Sequence, residues 1–153
     1  MVDAGIAQPS TSPWASPIVV AMRKNRKKRL CVDYRKLNSI TKKDAYPLPR
    51  IDEMMDALGK ARWFSSTDLT NGFWQIGMDP NSIQKTAFIS REGLYEFNVM
   101  PFGVCNGSPI FQRAMDNMLG NYNWKFAMVY IDDINIFSET FEEHLEHLRL
   151  VFQ

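Results

Sequence analysis

Two adjacent carboxylates, Asp132 and Asp133, interrupt an otherwise apolar stretch that runs from Phe126 to Ser138. Phe126 to Ile131 and Ile134 to Ser138 have the length and composition of short strands, which puts the acidic pair in a tight hairpin turn. Desolvating two neighbouring carboxylates without partners is costly, and their repulsion favours proton uptake. A turn instead exposes both beside a rigid sheet, where divalent cations can offset their charge and stabilise a reacting phosphate. A solvated acidic turn fits the same pair equally well. Asp68 adds a third carboxylate near the end of another strand-like segment, Trp63 to Leu69. Alone it reads as an ordinary turn or capping residue. If its strand neighbours the Asp132-Asp133 hairpin, carboxylates on separate rigid elements can hold two Mg2+ ions for phosphoryl transfer.

The rest of the chain supplies elements that could position these groups. Gln8 to Pro17, with three prolines, predicts an irregular lead-in unsuited to a helix interior or a central strand. Ile18 to Met22 and Leu30 to Tyr34 read as strands joined by Arg23-Lys24-Asn25-Arg26-Lys27-Lys28-Arg29, six positive charges in seven residues. A basic hairpin at an exposed edge is the simplest arrangement. A helix is expected from Arg50 to Leu58, with Ile51, Met54, Met55 and Leu58 on one face and Gly59 as its stop. Trp63 to Leu69 and Phe73 to Met78 predict strands flanking a turn at Asn71-Gly72, followed by strands at Thr86 to Ile89 and Tyr95 to Val99. Ser108 and Pro109 begin a helix whose buried face would carry Phe111, Met115 and Met118, with Gly120 as its end. Thr140 and Glu143 form a capping box for a last helix with Phe141, Leu145 and Leu148 on its apolar side.

Composition bounds the function. The chain of 153 residues is 45% hydrophobic, too apolar for a disordered segment and of a size for one substantial core rather than two independent ones. No apolar run approaches the roughly 20 residues needed to cross a bilayer. The first residues lack the pattern of a secretory leader, so an intracellular location without a membrane partner is expected. Cys31 and Cys105 are isolated and read as reduced core thiols. The net charge of +1 hides a split: residues 1–62 hold 13 Lys/Arg against 6 Asp/Glu, and residues 63–153 hold 5 against 11. A basic first part can attract phosphates, and an acidic second part can hold the cations that neutralise it.

An ordered series of motifs then becomes specific. It comprises Ser12-Pro13-Trp14-Ala15-Ser16-Pro17, Cys31-Val32-Asp33-Tyr34-Arg35-Lys36-Leu37-Asn38 and Tyr46-Pro47-Leu48-Pro49-Arg50-Ile51. It continues with Phe64-Ser65-Ser66-Thr67-Asp68-Leu69, Gly72-Phe73-Trp74-Gln75-Ile76, Lys85-Thr86-Ala87-Phe88, Pro101-Phe102-Gly103, Phe111-Gln112-Arg113 and Tyr130-Ile131-Asp132-Asp133. In this order, over nearly the whole chain, the series resembles the reverse transcriptases of Ty3/gypsy-type retrotransposons and, more distantly, of retroviruses.

The resemblance implies an α+β fold, with residues 1–153 forming a partial fingers and palm domain whose antiparallel palm sheet is backed by helices. No thumb, RNase H or integrase is assigned within these residues. It implies RNA-directed DNA synthesis, adding deoxynucleotides to a primer on an RNA or DNA template, with Mg2+ as two ions and Mn2+ as a substitute. Asp68 and Asp132 would ligate the metals, Asp133 would support them, and Leu69 would offer its backbone carbonyl. Arg29 would contact the incoming phosphates, Phe73 would act as a steric gate beneath the sugar, and Gln112 would lie beside the nucleotide. Further retroelement polymerase domains are implied as partners, and a cytoplasmic setting in a virus-like particle as the location, with the nucleus as an alternative. Two alternatives stand beside this reading: an inactive retroelement remnant that binds nucleic acid, and another Mg2+-dependent nucleotidyltransferase. The chain departs from the family pattern at Gly107-Ser108-Pro109-Ile110, at Asn135 and in the basic loop after Arg23.

Overall fold

The computed structural model describes residues 1–22 and 28–153, and for residues 22 and 28–30 the backbone alone. The basic turn expected at residues 23–27, and the side chain of Arg29, therefore lie outside the described residues. In chain order the elements are β1 (Ala7–Pro9), β2 (Ser16–Met22), β3 (Lys28–Val32), α1 (Arg35–Ile40), α2 (Ile51–Leu58), β4 (Trp63–Asp68) and α3 (Pro80–Ile83). They continue as β5 (Phe88–Ser90), β6 (Gly93–Phe97), α4 (Gly107–Leu119), β7 (Ala127–Tyr130), β8 (Asp133–Ser138) and α5 (Phe141–Val151). Short 3-10 turns cover Gly72–Gln75, Gln84–Thr86 and Gly120–Tyr122. Among the described residues, no helix is long and apolar enough to cross a membrane.

The chain divides into two units: residues 1–43 with 71–107, and residues 44–70 with 108–153. The first holds a five-stranded sheet in the order β1-β6-β5-β2-β3. β2 pairs antiparallel with β3, as the hairpin reading requires, and parallel with β5 through Ser16 and Pro17. The expected irregular lead-in is corrected in part: Pro9 ends edge strand β1, and Pro17 is the second residue of β2, which lies between β5 and β3 and tolerates the missing amide only near its start. Ala7, Phe88 and Phe97 form the core of this unit, joined by Ile6, Ile18, Val32 and Tyr95. Tyr34 is buried, and its hydroxyl donates to the carbonyl of Thr86 at 2.7 Å.

The second unit is an antiparallel sheet, β4-β8-β7, backed by α4 and α5. Ala127, Val129, Ile134 and Ile136 meet Leu119, Met115, Leu148 and Val151 in its core. Thr140 and Glu143 make the expected capping box at the start of α5.

Several local expectations are corrected. Phe73 to Met78 is not a strand: Asn71 adopts a left-handed conformation (φ 54°), and 3-10 bonds from Trp74 N–H to Asn71 and from Ile76 N–H to Phe73 close a turn. Thr86 belongs to a 3-10 turn, where its hydroxyl donates to Ile83 and accepts from Phe97 N–H. Helix α1 was not expected; Asp33 accepts the backbone N–H of Arg35 at its start. No residue of α2 is buried, and Ile51 and Met55 are 70% and 63% exposed, so periodicity there marks an amphipathic helix without marking a core. Met118 is exposed on α4 while Gln112 is enclosed. On α5, Phe141 and Leu145 are exposed, and the side facing the sheet carries His144 instead. The sheet makes that imidazole acceptable by placing the hydroxyls of Ser65 and Ser138 at 2.8 and 2.9 Å from its two nitrogens.

Candidate active site

The antiparallel register brings the sequence-separated carboxylates together. Asp68, the last residue of β4, pairs directly with Asp133, the first residue of β8. Direct cross-strand partners share a face of the sheet. One residue further, the N–H of Leu69 donates to the backbone carbonyl of Asp132 at 3.1 Å, which ties the end of β4 to the loop. Leu69 packs its side chain against the core of the sheet.

Tyr130 pairs with Asp133, so Ile131 and Asp132 form a two-residue hairpin loop. Ile131 has φ 55°. A positive φ at the first loop residue is normally supplied by Gly, and a β-branched residue there carries strain on the order of 1–3 kcal/mol. The neighbouring Asp132 has one carboxylate oxygen, Oδ1, enclosed without a hydrogen-bond partner. Its pKa is raised above the usual carboxylate value, first by burial, then by the negative charge of Asp68, and then by that of Asp133. Asp68 and Asp133 themselves are exposed. Among the described residues, no group of three or more His, Cys, Asp or Glu side chains is gathered into a ready-made metal cage. Asp132 comes from the loop, whereas Asp68 and Asp133 face each other across the ladder.

Gln112, on α4, is fully enclosed. Its Nε2 donates to the carbonyl of Val129 at 3.0 Å and to Asp116 Oδ1 at 3.1 Å, and its Oε1 accepts the N–H of Ile131 at 2.9 Å. Asp116 also accepts from Asn123 Nδ2 at 3.0 Å and, at Oδ2, from the Tyr46 hydroxyl at 2.7 Å. That bond to a carboxylate is the main cause that raises the Tyr46 pKa. The Tyr46 ring in turn lies 4.7 Å beneath the Arg113 guanidinium, which bonds Asp44 at 2.8 Å. The reading of the sequence missed Asp116 and Tyr46. The spacing of Gln112 and Asp116, four apart on one helix, was the available signal.

Phe73 belongs to the first unit. It is buried, stacks on Phe102 with centroids 5.2 Å apart, and would lie 3.0 Å from a Cβ placed on Gly107. The departure at Gly107 thus makes room for the Phe73 ring. Gly103, with φ 95°, turns the loop that carries Phe102, and Asn38 holds that loop through Gly103 and Cys105.

The sequence matches a known family. The family model described as "Reverse transcriptase (RNA-dependent DNA polymerase)" matches residues 22–153. The chain belongs to the reverse transcriptase family. It is 46% identical to the Retrovirus-related Pol polyprotein from transposon 297 of Drosophila melanogaster, over 99% of this chain and 15% of that polyprotein. To the corresponding polyprotein from transposon gypsy of the same organism it is 43% identical, over 97% of this chain and 15% of the relative. The Ty3/gypsy resemblance is therefore borne out. The chain spans about 15% of the length of those relatives. Among solved structures, it matches the foamy viral protease-reverse transcriptase in complex with RNA/DNA hybrid, with a TM-score of 0.88 and 27% identity, over 99% of this chain and 20% of that one. That likeness agrees with the expected α+β fingers and palm fold.

Proposed function

We propose that residues 1–153 form a partial fingers and palm domain that carries the active site of an RNA-directed DNA polymerase. The observation that carries this reading is the enclosed, unpartnered Oδ1 of Asp132 beside the Asp68–Asp133 pair. A buried carboxylate oxygen with no donor, crowded by two like charges, is a standing deficit of positive charge. Divalent ions, Mg2+ as a pair or Mn2+ in its place, meet that deficit with oxygen ligands. When bound, they make a primer 3′ hydroxyl more nucleophilic and offset charge on the transferring phosphate and the departing pyrophosphate.

The residues of the chain then divide the remaining work. Asp68 and Asp132 hold the ions, with Asp133 in support and the Leu69 carbonyl as a further oxygen. Arg29 binds the incoming phosphates, a task suited to the forked donors of a guanidinium. Phe73 bars a 2′ hydroxyl and so selects deoxynucleotides, whereas Gln112, expected beside the nucleotide, is fully enclosed with its amide bonded to Val129, Asp116 and Ile131. The substrates are dNTPs and a primed RNA or DNA template, and further polyprotein domains are its partners, in the cytoplasm within a virus-like particle.

The test compares wild-type chain with Asp132→Asn on a primed RNA template with dNTPs and Mg2+. Metal-dependent extension by wild type, lost in the folded variant, is the expected result. Binding of the template without any extension would leave only a nucleic-acid-binding module.

A further inference from the structure

β7 is an edge strand, since the sheet order is β4-β8-β7. At the loop end of that edge, Gln112 supplies the hydrogen bonds that another strand would make. Its amide donates to the carbonyl of Val129 and accepts from the N–H of Ile131, the two groups that flank Tyr130. These are the two groups that a single residue of a parallel neighbouring strand would bond, with its own N–H and its own C=O. The bond to Ile131 falls on the residue with the strained positive φ, immediately before Asp132.

Asp116 and the Val129 carbonyl together fix which way round this amide sits. Both offer acceptor oxygens to Nε2 of Gln112, which leaves Oε1 for the N–H of Ile131. The Tyr46 hydroxyl and Asn123 amide donate to the same carboxylate and hold it in place. Gln112 is fully enclosed, and both of its amide hydrogens are committed.

We propose that Gln112, oriented by Asp116, is a positioning residue for the carboxylate hairpin, acting on the cation site through the Ile131 N–H and not by touching the nucleotide. The inference rests on the polymerase reading above. In it, the strained loop is kept in the one conformation that presents Asp132 alongside Asp68 by an amide clamp on the helix behind.

The experiment measures three things on wild type, Gln112→Leu and Asp116→Asn: hydrogen exchange at the Ile131 amide, Mn2+ affinity by the signal of free Mn2+, and kcat and KM for dNTP. Gln112→Leu keeps the volume and removes the amide. Ile131 exchange should accelerate in both variants while the β4–β8 amides stay within about two-fold of wild type, because only one bond is lost. Mn2+ affinity should fall roughly ten-fold or more, as when a group that orients a metal ligand is removed. kcat should fall with KM for dNTP little changed. Should Gln112→Leu fail to fold, Asp116→Asn decides on the same three readouts. A raised KM with unchanged Mn2+ affinity and Ile131 exchange would mean direct nucleotide contact and overturn the proposal. Acceleration of all sheet amides together, with Mn2+ binding lost only in proportion to unfolding, would reduce Gln112 to a packing residue and overturn it as well. Wild-type chain that neither binds Mn2+ nor extends a primer would overturn the polymerase reading itself, whatever Ile131 does.

Discussion

Asp132 pays twice for its position, through burial and through the charges of Asp68 and Asp133. Replacing it by Asn should cut primer extension by roughly a hundred-fold or more, since several kcal/mol of charge stabilisation depends on the site. The same substitution should raise the melting temperature when no divalent cation is present, because it removes the repulsion. The pH dependence has a definite sign. A carboxyl whose folded pKa lies above its unfolded value contributes stability below the unfolded pKa and loses it as pH rises through the folded pKa. In EDTA, wild type should therefore lose stability on going upward through the range just above the ordinary carboxylate pKa, and Asp132→Asn should show less of this loss. Melting curves across that range, with and without Mg2+, check it; an identical slope in the two proteins would remove Asp132 as its cause. Phe73 is a separate case. Phe73→Val keeps an apolar side chain against Phe102 but shortens it, and the ratio of ribonucleotide to deoxynucleotide incorporation should rise. An unchanged ratio in a folded variant would rule out a gate at this position.

At the scale of elements, the hairpin and the helices behind it have different sensitivities. Thr140 caps α5 through Glu143 N–H, so Thr140→Ala should cost about 1 kcal/mol in a urea titration while leaving KM for dNTP unaltered. Ile131→Gly should relieve the backbone strain at φ 55° and yet lower kcat, because the loop gains conformations in which Asp132 is displaced. Activity at or above the wild-type level in that variant would mean the strained loop has no part in the chemistry. The two short strands around the acidic pair, the capping box and the Gly120 helix end were legible from periodicity and cap chemistry. Phe73 to Met78 was not, because the four-residue 3-10 turn that follows the left-handed Asn71 is too short to leave a period of its own in the sequence. The facing sides of α4 and α5 were legible in part: Phe111, Met115 and Leu148 face inward, whereas Met118, Phe141 and Leu145 do not. Hydrophobicity ranks Met118 and Phe141 above Gln112 and His144, but the sheet offers hydrogen bonds that admit the polar pair.

For the whole molecule, the basic bias of residues 1–62 predicts a salt-sensitive hold on nucleic acid. The logarithm of the affinity for a primed template should fall linearly with the logarithm of salt concentration, and Arg29→Gln should make the slope shallower by about 1 if it meets a phosphate. A slope unaltered by that change would place Arg29 away from the phosphates. The sequence by itself determined the family, through motifs whose order is independent of folding, and it determined which residue types could do chemistry. It also determined the hairpin that bears Asp132 and Asp133, since strand length and turn position are local properties. Tertiary structure alone decided that Asp68 faces Asp133, because register between β4 and β8 joins residues 65 positions apart. It alone decided that Asp132 keeps a buried oxygen without a donor and that Gln112, Asp116 and Tyr46 join behind the loop. Burial and hydrogen-bond satisfaction depend on what every other element brings to the same place, and no local window of sequence contains that information.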